Sequence, residues 1–528
     1  MSEADITIGA MGGRRAGDAV LAADDARTNR LGELLRRICS FPVMLGGLLV
    51  AAAFAMGRVA ILDPDSWWHI KTGELILSTH RWATTDPYSY TSAGAPWMSA
   101  EWLGDVFLAS VYRLGGARGL EALLIVMASA VILGIYGFAT LRSGNCKAAF
   151  LASIALAPLV MPSFNLRPQM LGYLFLVLTL IALERFRQGK QRAVWLLPLL
   201  FLIWVNTHGS WIIGLGVVGL YIASGLMNFQ FGSLEARRWT NSERIRLETV
   251  FMLSLAAIPI TPYGTQLAAY PFTVASSLPV SVGTIQEWRV MPFDVTGGKI
   301  FLALVLGFFL AQVAFRFTWR LHEFLLFLFG VGMACLHVRF LLLFVPFFAP
   351  LAAVILARWA PAYLKEKDQY LINFAIMAGI AIAMVHYFPS RSQMEEKVAN
   401  QFPVHALEYM RGHSVPGPLY NNYGFGGFMI ESGYKTFIDG RSELFESTGV
   451  LRDYLYLTQL KPGALMVLSH YGIRSCLLFR DEPLAVVLGS QPDWQKVYSD
   501  DLSALYVKRD AVDDSRQALV EFLPAAAR

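Results

Sequence analysis

The residues best suited to chemistry lie in one short stretch, Ile61 to Ile76, with the sequence ILDPDSWWHIKTGELI. Two carboxylates, Asp63 and Asp65, follow directly on the first strongly apolar run of the chain, and Trp68 and His69 come soon after. Acids at the edge of a hydrocarbon layer are costly to desolvate, so their presence there indicates a functional site. The alternative is that acids and tryptophans only anchor the end of a spanning helix.

Two kinds of chemistry fit this acidic pair. Asp63 or Asp65 could act as a general base that takes the proton of an acceptor hydroxyl as its oxygen attacks the anomeric carbon of a sugar. Alternatively, Asp63, Asp65 and His69 could share a divalent metal ion. The residue types do not decide between base and metal ligand, and they indicate no other cofactor.

Further polar side chains stand at or near the ends of other apolar runs. Arginines among them could hold a phosphate by charge-assisted hydrogen bonds, and the flat face of Trp68 suits a sugar ring or an apolar tail. Singly, each has a structural interpretation, such as helix capping by an asparagine. Together they predict one shared substrate cavity. The members besides His69 and Trp68 are Glu101, Arg167, Gln169, Asn206, His208, Tyr263, Glu287, His337 and Arg339.

The elements that must position these residues are membrane-spanning helices. Of the 528 residues, 55% are hydrophobic and 16% are charged, against about 25% charged in soluble domains. The pattern predicts a polytopic α-helical membrane protein, with residues 101–115 lying along the interface. About eleven spans are expected, at 42–62, 119–141, 147–163, 170–186, 193–207, 210–227, 247–262, 299–315, 321–337, 340–357 and 370–388.

Basic residues predict the orientation of these spans. With an N-terminal segment, 1–40, in the cytoplasm, the clusters of lysine and arginine fall in alternate connections, as the positive-inside rule requires. All the polar candidates then lie on the extracytoplasmic face. The net charge of +5 reflects this orientation and does not indicate a nucleic-acid partner; membrane lipids are the expected surroundings.

A change of composition divides the chain further. Residues 41–390 form the predicted transmembrane domain, with a first external loop at 63–118, and residues 391–528 form a small extracytoplasmic α/β domain. In that domain the glycines of YNNYGFGGFM, residues 420–429, match no nucleotide-binding motif and predict a turn between strands. The Asp439-Gly440-Arg441 segment could reach the membrane cavity. Four scattered cysteines give neither a disulfide framework nor a zinc site.

The chain resembles the GT-C superfamily of integral-membrane glycosyltransferases in its acidic pair, Asp63-Pro64-Asp65, in the first external loop, the interfacial helices of that loop, its many spans and its soluble outer C-terminal domain. More closely, a set of segments resembles a group of bacterial glycosyltransferase-like membrane proteins: DPDSWWHIKTGE, DPYSYTSAGAPWMSAEWL, NLRPQ, NTHG and FIDGRSELF. The resemblance implies a polyprenyl-phosphate sugar donor, an inverting transfer on the outer face of a bacterial inner membrane, and a catalytic aspartate at Asp63 or Asp65. We favour Asp65, which is next to the aromatic residues. The proline between the two acids departs from the adjacent acids of many members.

Other functions fit the same elements less well. A transporter or flippase of lipid-linked sugars would need polar residues at mid-membrane and on both faces, and here they are one-sided. An O-antigen-type polymerase or ligase would act on the outer face but would have less need of an acidic pair. The sequence does not identify the sugar or the acceptor, which could be a lipid, a glycan or a protein.

Overall fold

A computed structural model of the chain describes residues 32–57, 63–160, 163–277, 279–284 and 288–509. Its first part is a bundle of helices accompanied by three short strands, β1 (Phe229–Phe231), β2 (Leu234–Ala236) and β3 (Trp319–Arg320), in one small sheet. The helices described there are α1 (Gly32–Ile38), α2 (Phe41–Gly57), α3 (Pro64–Thr79), α4 (Trp102–Ser143), α5 (Cys146–Val160), α6 (Gln169–Arg187), α7 (Leu197–Val205), α8 (Trp211–Ser224), α9 (Asn241–Ala257), α10 (Thr265–Ser277), α11 (Pro279–Thr284), α12 (Thr296–Ala314), α13 (Leu321–Leu336), α14 (Leu341–Leu356) and α15 (Tyr370–Tyr387).

Within the described residues, five helices of the bundle are long and apolar enough to cross a membrane: α4, α6, α12, α14 with the turn before it, and α15. A sixth results if α1 and α2, which meet at a bend of 44°, count as one span. Shorter apolar helices include α5, α8 and α13. The predicted number of eleven spans is not confirmed by these lengths and remains a prediction.

The centre of the bundle is α14. Its side chains are buried along almost the whole helix, and it packs against α4, α5 and α13. A helix that is apolar on all sides belongs in such a position, because no face of it is suited to water. Around it, α4 joins two helical pieces at Gly116, where φ is 55° and ψ is −149°. The segment 101–115, predicted to lie along the interface, is thus mostly the first piece of α4.

The C-terminal part contains a four-stranded sheet with helices around it. The strands β4 (Leu419–Asn421), β5 (Ser475–Phe479), β6 (Trp494–Ser499) and β7 (Ser503–Lys508) are arranged in the order β4-β5-β7-β6, with β4 parallel to β5 and the other pairs antiparallel. The accompanying helices are α16 (Arg391–Ala399), α17 (Val404–Gly412), α18 (Tyr423–Glu431), α19 (Ser442–Ser447), α20 (Val450–Thr458), α21 (Leu465–His470) and α22 (Pro483–Ser490).

The glycine-rich segment differs from its prediction. The turn expected between strands is helix α18, which Asn422 caps by accepting a hydrogen bond from the Gly424 amide. A Cβ atom at Gly426 would overlap the Ile438 carbonyl oxygen, and one at Gly427 would overlap that of Pro64. The glycines are therefore there for close packing of α18 against α3 and the 438–439 backbone, and not for a turn.

A buried arginine joins this part to the first loop. The guanidinium of Arg441 binds Asp86 of that loop at 2.6 Å and Asp439 at 2.7 Å, and all three side chains are fully buried. It also lies over the ring of Trp97 at 4.8 Å. The first loop and the C-terminal part therefore lie on the same side of the bundle. That this side is extracytoplasmic remains a prediction.

We predict that Arg441→Ala destabilises the protein strongly, because it leaves the Asp86 and Asp439 carboxylates buried without their cation. Removal of one partner from a buried ion pair costs about 3–5 kcal/mol. Arg452→Ala, on the exposed side of α20, is the matched control. Thermal unfolding in detergent measures both variants, and equal melting temperatures would contradict this role of Arg441.

Candidate active site

Helix α3 presents the acidic pair. Asp63 is its N-cap residue and accepts a hydrogen bond from the Asp65 amide at 2.9 Å, while Pro64 occupies the first helical position. Proline is favoured there because its φ is already helical and it lacks an N–H that would have no partner. Asp65 thus stands in the first turn of α3, where the positive end of the helix dipole stabilises a negative charge.

Arg167 holds the two aspartates together. Its Nε lies 2.6 Å from Asp63 Oδ2, and its Nη1 lies 3.0 Å from Asp65 Oδ2. The segment that contains Arg167 makes a second contact with α3, because the Ser66 hydroxyl donates a hydrogen bond of 2.7 Å to the Leu166 carbonyl. Burial raises the pKa of Asp65 to about 6, although the positive charge of Arg167 acts in the opposite direction.

His69 lies one turn further along α3, between two carboxylates. Its Nδ1 is 2.6 Å from Asp105 Oδ1 and its Nε2 is 3.6 Å from Glu101 Oε2. Burial alone would lower the pKa of His69, but the charge and hydrogen bond of Asp105 raise it overall. Burial raises the pKa of Glu101 to about 7, while His69 opposes this. Asp105, fully buried and also bound by the Ser99 hydroxyl, therefore fixes the imidazole in place.

His208 approaches Glu101 from the other side. The Ser210 amide donates to His208 Nδ1 at 3.1 Å, so in this arrangement Nε2 carries the ring proton. Nε2 lies 3.3 Å from Glu101 Oε1 and can donate to it. Burial and the nearby charge of Arg339 lower the pKa of His208 to about 3. It is thus a neutral hydrogen-bond donor at ordinary pH.

Arg339 brings a second guanidinium. Its Cζ lies 4.3 Å from the centre of the Trp288 ring, and the Trp288 carbonyl is 2.6 Å from His337 Nδ1. A guanidinium over an indole face is attracted to the ring electrons. Within the described part of the chain Arg339 has no ion-pair partner, so its charge is available to an anionic ligand.

These groups meet in one cavity of about 150 Å³. Among its walls are eight of the side chains singled out from the sequence: Asp65, Trp68, His69, Glu101, Arg167, Gln169, His208 and Arg339. The C-terminal part closes it, because Glu443 of α19 is in the wall and the Gly440 backbone lies against Asp65. Gly440 of the Asp439-Gly440-Arg441 segment thus reaches the cavity margin, which the sequence had left as a possibility.

Other candidates do not line the cavity. Asn206 accepts a hydrogen bond from Trp102 Nε1 and donates to the Ile260 carbonyl. The Tyr263 hydroxyl accepts from the Ser99 amide and donates to the Ala83 carbonyl. In the structure these two, like His337, hold neighbouring segments in position, and their role as substrate-binding residues remains a prediction. Asp63 caps helix α3 and forms an ion pair with Arg167. Glu287 lies outside the described residues.

Sequence patterns did not reveal several cavity residues. Trp97 and Ser99 belong to the loop segment APWMSAEW, Tyr270 to α10 and Glu443 to α19. The FIDGRSELF segment, which combines several charged residues with a glycine, is a signal that could have identified Glu443. Tyr270 is in an ordinary amphipathic stretch that carries no such signal.

The residues suggested as metal ligands do not converge. Asp63 and Asp65 both bind Arg167, and His69 directs one ring nitrogen to Asp105. Over the described ranges, no group of three or more His, Cys, Asp or Glu side chains is arranged to hold a metal ion. The acidic pair is arranged around a guanidinium.

Comparison with known proteins gives structural matches only. Neither a protein-family model nor a curated protein sequence matches the chain. The Archaeoglobus fulgidus oligosaccharyltransferase, solved with a tethered acceptor peptide, matches with a TM-score of 0.48 and 11% identity over 82% of this chain and 68% of that one. ArnT from Cupriavidus metallidurans, bound to undecaprenyl phosphate, matches with a TM-score of 0.44 and 14% identity over 88% and 97%.

A further structure of the archaeal oligosaccharyltransferase AglB, in complex with an inhibitory peptide and a dolichol-phosphate, matches with a TM-score of 0.47 and 12% identity over 82% and 69% of the two chains. Because all three TM-scores are below 0.5, the function proposed below rests on the residues of this chain alone.

We predict that Gly440→Ala destabilises the protein through Asp65, because the added Cβ would overlap that carboxylate. Overpacking of this kind costs about 1–3 kcal/mol. Gly412→Ala, where a Cβ meets nothing within 4 Å, is the control. Thermal unfolding of a double-mutant cycle with Asp65→Ala tests the contact: the cost of Gly440→Ala should largely vanish once the carboxylate is gone. An undiminished cost would show that Gly440 does not abut Asp65.

Proposed function

We propose that the chain is a membrane glycosyltransferase that moves a sugar from a polyprenyl-phosphate donor to a lipid, glycan or protein acceptor. The observation that carries this proposal is the cavity in which Asp65 lies beside Arg167, with Arg339 and the aromatic wall in reach. A base, two guanidiniums and flat apolar rings are what transfer from a sugar phosphate to a hydroxyl requires.

In the proposed reaction Asp65 takes the proton from the acceptor hydroxyl. The acceptor oxygen attacks the anomeric carbon from the face opposite the phosphate, a new C–O bond forms, and the bond from that carbon to the phosphate oxygen breaks. The phosphate leaves with the electron pair as polyprenyl phosphate. A single displacement of this kind inverts the configuration, and one base is enough because a phosphate needs little protonation to leave.

The charges of the cavity support this division of roles. Arg339, which no described carboxylate neutralises, holds the donor phosphate, and Arg167 keeps Asp65 in position while adding positive charge. With a pKa of about 6, Asp65 is ionised near neutral pH and still basic enough to accept a proton. Glu101 and His208 offer a hydrogen-bond acceptor and donor for the hydroxyls of the sugar or acceptor.

The proposed location follows the charge pattern of the chain. The enzyme lies in a bacterial inner membrane with its N-terminus in the cytoplasm and its C-terminal domain in the periplasm. The cavity is bordered by the first loop and by the C-terminal part, which lie on one side of the bundle. Donor and acceptor therefore meet at the extracytoplasmic face.

We expect Asp65→Asn to reduce transfer by about 10²–10⁴ while expression and fold are retained, because the amide cannot accept the proton. Asp481→Asn, whose side chain is exposed, is the control. Mass spectrometry of lipids and surface glycans, from cells with the gene deleted and then complemented by each variant, identifies the product and measures its loss. Normal transfer by Asp65→Asn would remove Asp65 as the base.

The two arginines should affect the pH profile differently. Transfer should rise with pH through about 6 as Asp65 ionises. Arg167 lowers the pKa of Asp65, so Arg167→Gln should move this acid limb to higher pH. Arg339→Gln should instead raise the apparent KM for the donor and leave the limb in place. Initial rates of the purified protein, measured across a range of pH, report both effects. If Arg167→Gln left the acid limb of the pH profile at the same pH, this would argue against Asp65 as the titrating base.

A further inference from the structure

A second site is indicated at the opposite end of α6 from the active-site cavity. Helix α6 begins at Gln169, which lines that cavity, and ends at Arg187. At 1.5 Å per residue its length is roughly 27 Å, about the thickness of the hydrocarbon core of a bilayer. Whatever binds near its C-terminal end is therefore separate from the proposed chemistry, and this inference does not depend on the proposed function.

An apolar groove leads to that end. It has a volume of about 720 Å³ and runs between α2, α4, α6 and α15. Gly46 and Gly47 of α2 and Gly137 of α4 line it, and a Cβ at Gly137 would meet no atom within 4 Å. The missing side chains leave room that an acyl chain can fill. The polar exceptions are few, and one of them is Arg185, at the groove end.

A basic pocket adjoins the groove at the same arginine. This pocket, of about 820 Å³, is lined by Arg185, Lys190, Arg192 and Arg246, and among the residues that the structure describes no acidic side chain lines it. Arg246 contacts Gln191; within the described residues none of the four cations has an ion-pair partner. Four positive charges without a carboxylate call for an anionic ligand.

Apolar side chains exposed beside the pocket place it at a membrane surface. Trp195 in its wall is 46% exposed, and Leu196 and Leu199, which follow along the chain, are 71% and 57% exposed. Tryptophan with exposed leucines beside a basic cluster is typical of the boundary between headgroups and hydrocarbon. The ligand must therefore have a chain in the hydrocarbon layer and a charge at its surface.

We propose that this groove and pocket together bind an acidic phospholipid, with its phosphate among the four cations and an acyl chain in the groove. Arg185, which lines both, lies where headgroup and chain join. The glycines widen the groove so that it can hold an acyl chain. Because the described lining of the pocket is basic and contains no acid, it favours an anionic headgroup over a zwitterionic one.

The test compares two lipids that differ only in headgroup. Protein freed of lipid in neutral detergent is titrated with dioleoyl phosphatidylglycerol or dioleoyl phosphatidylcholine and followed by native mass spectrometry and thermal unfolding. Phosphatidylglycerol should bind at least tenfold more tightly, and Lys190→Gln with Arg192→Gln should lower its affinity about fivefold for each charge removed. Lys365→Gln with Lys367→Gln, the same charge change at another exposed site, should have no effect.

The groove is tested separately. Gly137→Leu should weaken the binding of both lipids by filling the groove, whereas Gly379→Leu, on the exposed side of α15 and also without neighbours within 4 Å, should leave binding unchanged. Equal affinity of the unmodified protein for the two lipids would overturn the proposal, as would an undiminished headgroup preference in the Lys190 and Arg192 variant. Undecaprenyl phosphate displacing phosphatidylglycerol from the site at lower concentration would overturn the choice of a phospholipid.

Discussion

The geometry of the site depends on a guanidinium that never touches the cavity. Arg441 is fully buried between Asp86 of the first loop and Asp439 of the C-terminal part. Desolvating three charges is expensive, and the arrangement is tolerable only because each charge has a partner at hydrogen-bond distance. Separation of the two segments would leave the Asp86 carboxylate without its cation, although Arg441 and Asp439, which are two residues apart, would stay paired. The cost of losing this buried ion pair holds the loop and the C-terminal part together. The walls of the cavity, Trp97 from one and Glu443 from the other, owe their relative position to this contact.

The positions of the polar residues at helix ends could be predicted from the sequence. Which of them line the cavity could be predicted only in part. Arg167, His208 and Arg339 stand at the ends of apolar runs, where hydropathy alone indicates which face they share. Whether such a residue opens onto a cavity depends on packing between segments distant in sequence. Asn206 meets Trp102 and Ile260, and no local pattern reveals that its amide is already occupied.

The C-terminal contribution was the least predictable part. Glycines in α18 suggested a turn because glycine is a poor helix former. The helix forms nonetheless, since the close approach of α3 leaves no room for side chains and tertiary packing outweighs intrinsic propensity. Tertiary packing also brings Glu443 and Gly440 to the cavity that Asp65 lines. They lie more than 370 residues from Asp65 in a chain of 528, and periodicity within one segment contains no information about so distant a contact.

The spacing of the two aspartates explains why their environments differ. Proline between them starts α3, which makes Asp63 the N-cap, outside the helix, and places Asp65 within the first turn. As the cap, Asp63 directs one oxygen to the Asp65 amide and the other to Arg167 Nε, so both its oxygens are engaged in structure. Asp65 shares the same arginine but faces the cavity, where burial raises its pKa. Two adjacent acids could not occupy these two positions on one helix start. The Asp-Pro-Asp sequence thus assigns one carboxylate to the fold and leaves the other facing the cavity.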